Sequence, residues 1–110
     1  MKPWTTETSD QKFSILIRAR EPKCARCKTR ASSDCSHHFE RHHSATRFHP
    51  ENCDGVCRKC HDYWHAHMQE YIDFKKEQLG PQRYIDLQRL AWSTMKRETA
   101  IIKFMKSLEK

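Results

Sequence analysis

Two Cys-x-x-Cys pairs, Cys24/Cys27 and Cys57/Cys60, bracket a histidine-rich stretch of the chain. Thiolates at this spacing can close a tetrahedral zinc site of the structural kind. The second pair runs directly into His61 and, four residues on, His65. On a helix these positions lie one turn apart on one face, so their imidazoles can converge on a second ion. A third ligand must come from elsewhere, and the adjacent His37 and His38 supply the candidates, one imidazole for the metal and the other as a base. A metal with open coordination positions stabilises charge on a phosphoryl group, and a neutral imidazole with an ordinary pKa of about 6.5 takes a proton from water. Hydrolysis of a phosphodiester is the chemistry such a set suits.

Positioning these groups requires a bent hairpin and a helix. Cys24 to Lys28 reads as a metal knuckle, and Thr29 to Phe39, with Cys35, His37 and Phe39 alternating with Ser36 and His38, reads as a strand. Neighbours on a regular strand face opposite sides, so using both His37 and His38 requires the strand to bend or end there. Glu40 to Asn52, with His49-Pro50, reads as a long loop, and Cys53 to Val56, with the Asp54-Gly55 turn signal, as the short returning strand or its bulge. Helix follows from Cys57, with Trp64, Met68, Tyr71 and Ile72 as an apolar stripe. Gly80 ends it and Pro81 opens another helix carrying Tyr84, Leu87, Leu90 and Ala91. Before the knuckle, Thr8 or Ser9 caps a helix whose Phe13, Leu16 and Ile17 share a face. At the other end Thr94 caps a last helix lined by Ile101, Met105 and Leu108. The expected fold is small α+β: one domain over 1–110, a zinc-bound core over 24–67, and flanking helices, of which 81–110 form an appendage.

Charge and hydropathy agree with this picture. The chain has 110 residues, a mean hydropathy of -0.99 and 36% hydrophobic residues, a core small enough to need a staple. Met1 to Asp10 is polar with no apolar run behind it, so a cytoplasmic protein with metal-bound rather than disulfide-bonded cysteines is expected. No stretch approaches the roughly 20 apolar residues of a membrane span. Twenty-one Lys and Arg against 14 Asp and Glu give a net charge of +7, which points to a polyanionic partner, DNA foremost. Arg26, Lys28 and Arg30 cluster about the first cysteine pair. Arg41, Arg47 and Arg58 flank the histidines, and Arg47 is the first choice for a phosphate contact.

The order His37-His38, Asn52, His61, His65, with eight residues between Asn52 and His61 and three between His61 and His65, resembles the HNH, or ββα-metal, endonucleases. The flanking cysteine pairs resemble those members that add a structural zinc. The resemblance covers Cys24 to His67. It implies a nuclease that nicks or cuts double-stranded or branched DNA with a divalent ion such as Mg2+, Mn2+, Ni2+ or Zn2+. It also implies that His37, His61 and His65 hold that ion, that His38 is the general base, and that Asn52 ties the loop that orients the base. Phe13 to Arg20, His38-Phe39 and His43 to Phe48 are similar to the phage NinG (Rap) recombination endonucleases, which implies a bacterial or phage-infected cell. That group more often shows Gly-His where this chain has His37-His38.

Other readings stay open at this level. His42 or His43 replaces His38 as base if the register shifts, and Cys35 and Cys53 are either buried thiols or competing zinc ligands. Trp64, Tyr71 and Phe74 recur at helical intervals and read as core. A homodimer would suit paired incisions. The alternative function is a non-catalytic, zinc-stabilised DNA-binding or adaptor protein, in which only the knuckles and the basic surface operate.

Overall fold

The computed structural model describes residues 2–109. Helix α1 spans Thr6–Arg20, strand β1 Asp34–His37, helix α2 Ser44–Arg47 and strand β2 Cys53–Val56. Helices α3, α4, α5 and α6 span Arg58–Ala66, Met68–Leu79, Pro81–Trp92 and Arg97–Ser107. The strands pair antiparallel, with Asp34 opposite Val56 and His37 opposite Cys53. The molecule is a small α+β protein in which helices surround a two-stranded hairpin. None of its described helices is long and apolar enough to cross a membrane.

The cap of α1 is Thr5, whose hydroxyl accepts from the Thr8 amide at 3.0 Å, and not Thr8 or Ser9. Ser9 is buried and donates to the Thr5 carbonyl. Phe13 and Ile17 are buried as expected, whereas Leu16 is exposed. The predicted strand over Thr29–Phe39 shortens to four residues. Lys23 and Ala31 close the knuckle with an isolated bridge, and Ser32 and Ser33 bond to Pro22 and Val56 as the chain enters the hairpin. The loop before β2 contains α2 and a 3-10 turn at Pro50–Asn52. Pro at the first turn position costs nothing there, because its missing amide has no helical partner. β2 matches its predicted span.

Gly55 is required by close approach. Its carbonyl accepts from the Ala25 amide at 2.8 Å, and a Cβ would stand 3.0 Å from the Glu21 carbonyl oxygen. The knuckle therefore seats directly on β2.

After β2 the helix breaks at His67, which the apolar stripe did not reveal. Trp64 and Tyr71 stack across the corner with ring centroids 4.1 Å apart, both buried, and this aromatic contact holds α3 against α4. Gly80, at φ 82°, ends α4 and Pro81 opens α5, as the sequence predicts. Thr94 does not cap the last helix, because Lys96 occupies that position. The C-terminal segment is not an appendage. Ala100, Ile101, Phe104 and Met105 of α6 form one core with Phe13, Ile17 and Phe48, and α5 buries Tyr84, Leu87 and Ala91 with Phe39.

Candidate metal centres and groove

Cys24, Cys27, Cys57 and Cys60 converge with all sulfurs within 4.8 Å of one another, as the paired spacing predicts. Each pair is a tight turn: the Cys27 amide lies 3.5 Å from Cys24 Sγ and the Cys60 amide 3.5 Å from Cys57 Sγ. Lys28 completes the first turn in the left-handed region, at φ 63°, with its amide on the Cys24 carbonyl. Hydrogen bonds from Thr29 and from the Arg30 and Thr29 amides pull the Cys27 thiol down to about 5. Burial pushes Cys60 up to about 11, against the hydrogen bond from Arg26. A zinc-class ion with four thiolates carries a net charge of -2, and cationic groups surround it. Arg26 Nη1 is 3.5 Å from Cys60 Sγ, and the Arg30 guanidinium stands close enough to Cys57 for that thiol to raise its pKa. The donor set and its environment fit a closed structural zinc.

This geometry corrects one expectation. Arg26 is held by Glu70 at 2.7 Å and lies 3.8 Å over the Tyr63 ring, so it supports the knuckle and is not free for DNA. Arg30 and Lys28 are both exposed.

A groove of about 900 Å³ runs beside the hairpin, with β1 as its floor and α1 and α3 as its walls. His37, His61 and His65 all line it, together with Asp34 and Cys35. His61 Nδ1 donates to Asp34 Oδ2 at 2.8 Å, and the His61 and His65 rings are 4.9 Å apart. A carboxylate on Nδ1 leaves Nε2 of His61 with its lone pair free, the tautomer a metal ligand needs. The two imidazoles and this carboxylate line one stretch of the groove without forming a close three-donor cluster. Asp34 was not anticipated: it stands 27 positions from His61, and no local spacing signals the pairing.

His37 does not close on the same point as His61 and His65. Among the described residues, the other close donor group is Cys35, His37 and Cys53, again within 4.8 Å. His37 Nε2 donates to the Arg47 carbonyl at 2.9 Å, so its Nδ1 is the unprotonated nitrogen. Burial pushes its pKa down to about 4 and keeps the ring neutral.

The strand ends after His37, as the paired-histidine reading requires, but His38 turns inward. It is 4% exposed, bonds Tyr84 Oη through Nε2 at 2.8 Å, packs edge-on against Tyr71, and has no partner for Nδ1. Burial pushes its pKa to about 4 as well. The expectation that His38 is the base is corrected, since a buried imidazole on the far side of the strand cannot meet a phosphate in the groove. Of the substitutes, His43 donates to the Ala91 carbonyl and stacks on Trp92, while His42 is exposed at the groove edge.

Asn52 is fully buried. Its side chain accepts from the Phe39 amide at 2.8 Å and donates to the carbonyls of Phe39 and Thr46 at 3.0 and 3.1 Å. It therefore ties both ends of the loop after β1 and fixes the segment whose Arg47 carbonyl orients His37. Arg47, the first choice for phosphate, is 7% exposed and corrected. It binds Asp10 through two hydrogen bonds, of 3.0 and 2.7 Å, and donates to the Arg41 carbonyl, stapling the loop to α1. Arg41 and Arg58 remain at the groove with exposed side chains, 3.8 Å from Asp10 and 3.0 Å from Asp34 respectively.

No protein-family model, curated protein or solved structure matches the chain.

Proposed function

We propose that the protein is a metal-dependent DNA endonuclease of the ββα-metal kind, acting on double-stranded or branched DNA. The observation that carries this reading is the groove. A hairpin imidazole whose tautomer a main-chain carbonyl sets faces two helix imidazoles, one of them backed by a carboxylate. In this reading His37 is the general base: Nε2–H stays on the Arg47 carbonyl and Nδ1 accepts the proton of the attacking water. Asn52 is a positioning residue that acts through the loop. His61 and His65 would hold the divalent ion, and that ion, when bound, supplies charge stabilisation at the phosphoryl and leaving oxygens. Asp34 keeps His61 in the ligating tautomer. Arg41 and Arg58 bind the backbone phosphates on either side, exchanging acidic partners for phosphate oxygens.

The test is cleavage of supercoiled plasmid and of a four-way junction with Mg2+, Mn2+ or Ni2+, beside a binding measurement. His37→Ala and His61→Ala are expected to lose about 10²- to 10⁴-fold in rate while still binding DNA. Binding is expected to weaken steeply with salt. Tight binding with no cleavage under any of these ions would overturn the enzyme and favour the adaptor reading. Full activity in His37→Ala would move the base to another residue, with His42 next in the groove.

A further inference from the structure

The hairpin carries a second set of soft donors around His37, of which Cys35 and Cys53 serve neither the four-cysteine centre nor the proposed hydrolysis. Cys35 and His37 are two apart on β1 and so share a face, and the antiparallel register sets Cys53 directly opposite His37. Their donor atoms lie within 4.8 Å of one another. Cys53 is fully buried at the base of this cluster, while Cys35 and His37 open on the groove. The cluster sits at the start of β2, the four-cysteine centre beyond its end, with Cys57 following Val56.

We propose that Cys35, His37 and Cys53 form a second, exchangeable metal site for a soft or borderline ion of the zinc class, with its fourth position open to the groove. Two thiolates and one imidazole match such ions and not Mg2+ or Ca2+, which need oxygen donors. The imidazole is prepared for the role. Its Nε2–H on the Arg47 carbonyl leaves Nδ1 as the ligating nitrogen and fixes the ring plane, the support that metal-bound histidines characteristically have. Binding releases the two thiol protons to solvent, so no oxidant or reductant is involved. A consequence that rests on the nuclease reading follows. An ion here takes the lone pair of the proposed base, so zinc inhibits cleavage supported by Mg2+.

The decisive experiment is an anaerobic Co2+ titration of the full-length protein already loaded with one zinc, followed by sulfur-to-cobalt charge-transfer absorption. One additional equivalent with this absorption is expected in the wild type and in His61→Ala, and its loss in Cys35→Ala. Cys35 is the variant of choice because it is only partly buried and lines the groove, whereas Cys53 is fully buried; circular dichroism checks its fold, and Cys35→Ser repeats the test with a smaller change of shape. Absence of a sulfur band in the wild type, or a band unchanged in both Cys35 variants, would overturn the site. In the activity arm, micromolar Zn2+ is expected to inhibit wild-type cleavage and to spare Cys35→Ala. The spectroscopic result decides the site alone, and an inactive wild type bears on the nuclease reading alone.

Discussion

Lys75 offers the sharpest test of how the hairpin is held. Its ammonium lies 3.0 Å from Asp54 Oδ2, 2.7 Å from the Glu51 carbonyl and 2.8 Å from Gln78 Oε1, and the Lys75 and Asp54 side chains are 1% and 0% exposed. Asp54 also accepts from Tyr71 Oη at 2.9 Å and from Gln78 Nε2 at 3.3 Å. Lys75→Met keeps the aliphatic stem and removes the cation, leaving a buried carboxylate with neutral donors only. Removing one partner of a buried pair costs about 3–5 kcal/mol. The retained Tyr71 and Gln78 bonds place the expected loss at the lower end, about 3 kcal/mol. With total stability on the order of 5–15 kcal/mol, that is a large fraction, and it corresponds to a fall in Tm on the order of 10–20 °C. Urea unfolding of the zinc-loaded protein at pH 7, followed by circular dichroism, measures it. Adding Asp54→Asn to Lys75→Met removes the stranded charge and should restore about 1–3 kcal/mol, the coupling expected of residues in contact. A Lys75→Met protein within about 0.5 kcal/mol of the wild type would refute the reasoning, since an unpaired buried charge cannot be that cheap.

Stripping zinc from the four cysteines should release the knuckles from Val56, Trp64 and Tyr71, which share a core with them. The expected result is loss of helical ellipticity on chelation and its recovery on adding zinc; unchanged ellipticity after metal analysis shows the zinc gone would contradict the staple. Stability should also fall in acid. Burial depresses His37 and His38 to about 4 in the folded protein, below the unfolded value of about 6.5, so the unfolded chain binds more protons between these limits. Their contribution is complete above about pH 6.5 and is lost as pH falls toward 4, with a ceiling for buried His38 of roughly 3 kcal/mol. His38→Phe should flatten this part of the urea-midpoint profile, and an unaltered slope would argue against the buried, neutral ring.

The parts of this protein legible in its sequence are those set by neighbours along the chain. Cys-x-x-Cys spacing makes a knuckle because two sulfurs three residues apart fit one turn. Gly80-Pro81 marks a helix boundary through backbone preferences that act within a few residues. The i, i+4 spacing of His61 and His65 likewise puts their rings together on α3. Other features depended on contacts made across the fold. Alternation along β1 places His37 and His38 on opposite faces, but only the packing of α4 and α5 turns His38 toward Tyr71 and Tyr84 and leaves His37 in the groove. Arg47 looks like a phosphate ligand until Asp10, 37 positions away, claims it, and Asp34 acquires meaning only when α3 brings His61 to it. The tail helices read as separable because their amphipathic pattern does not say what they face; Phe13 and Phe48 supply that face. The residue types and short spacings by themselves determined the available chemistry, because ligand valence and local turn geometry are short-range properties. Tertiary structure alone decided which imidazole meets solvent and which cation is already neutralised, because burial and ion pairing are set by groups distant in sequence.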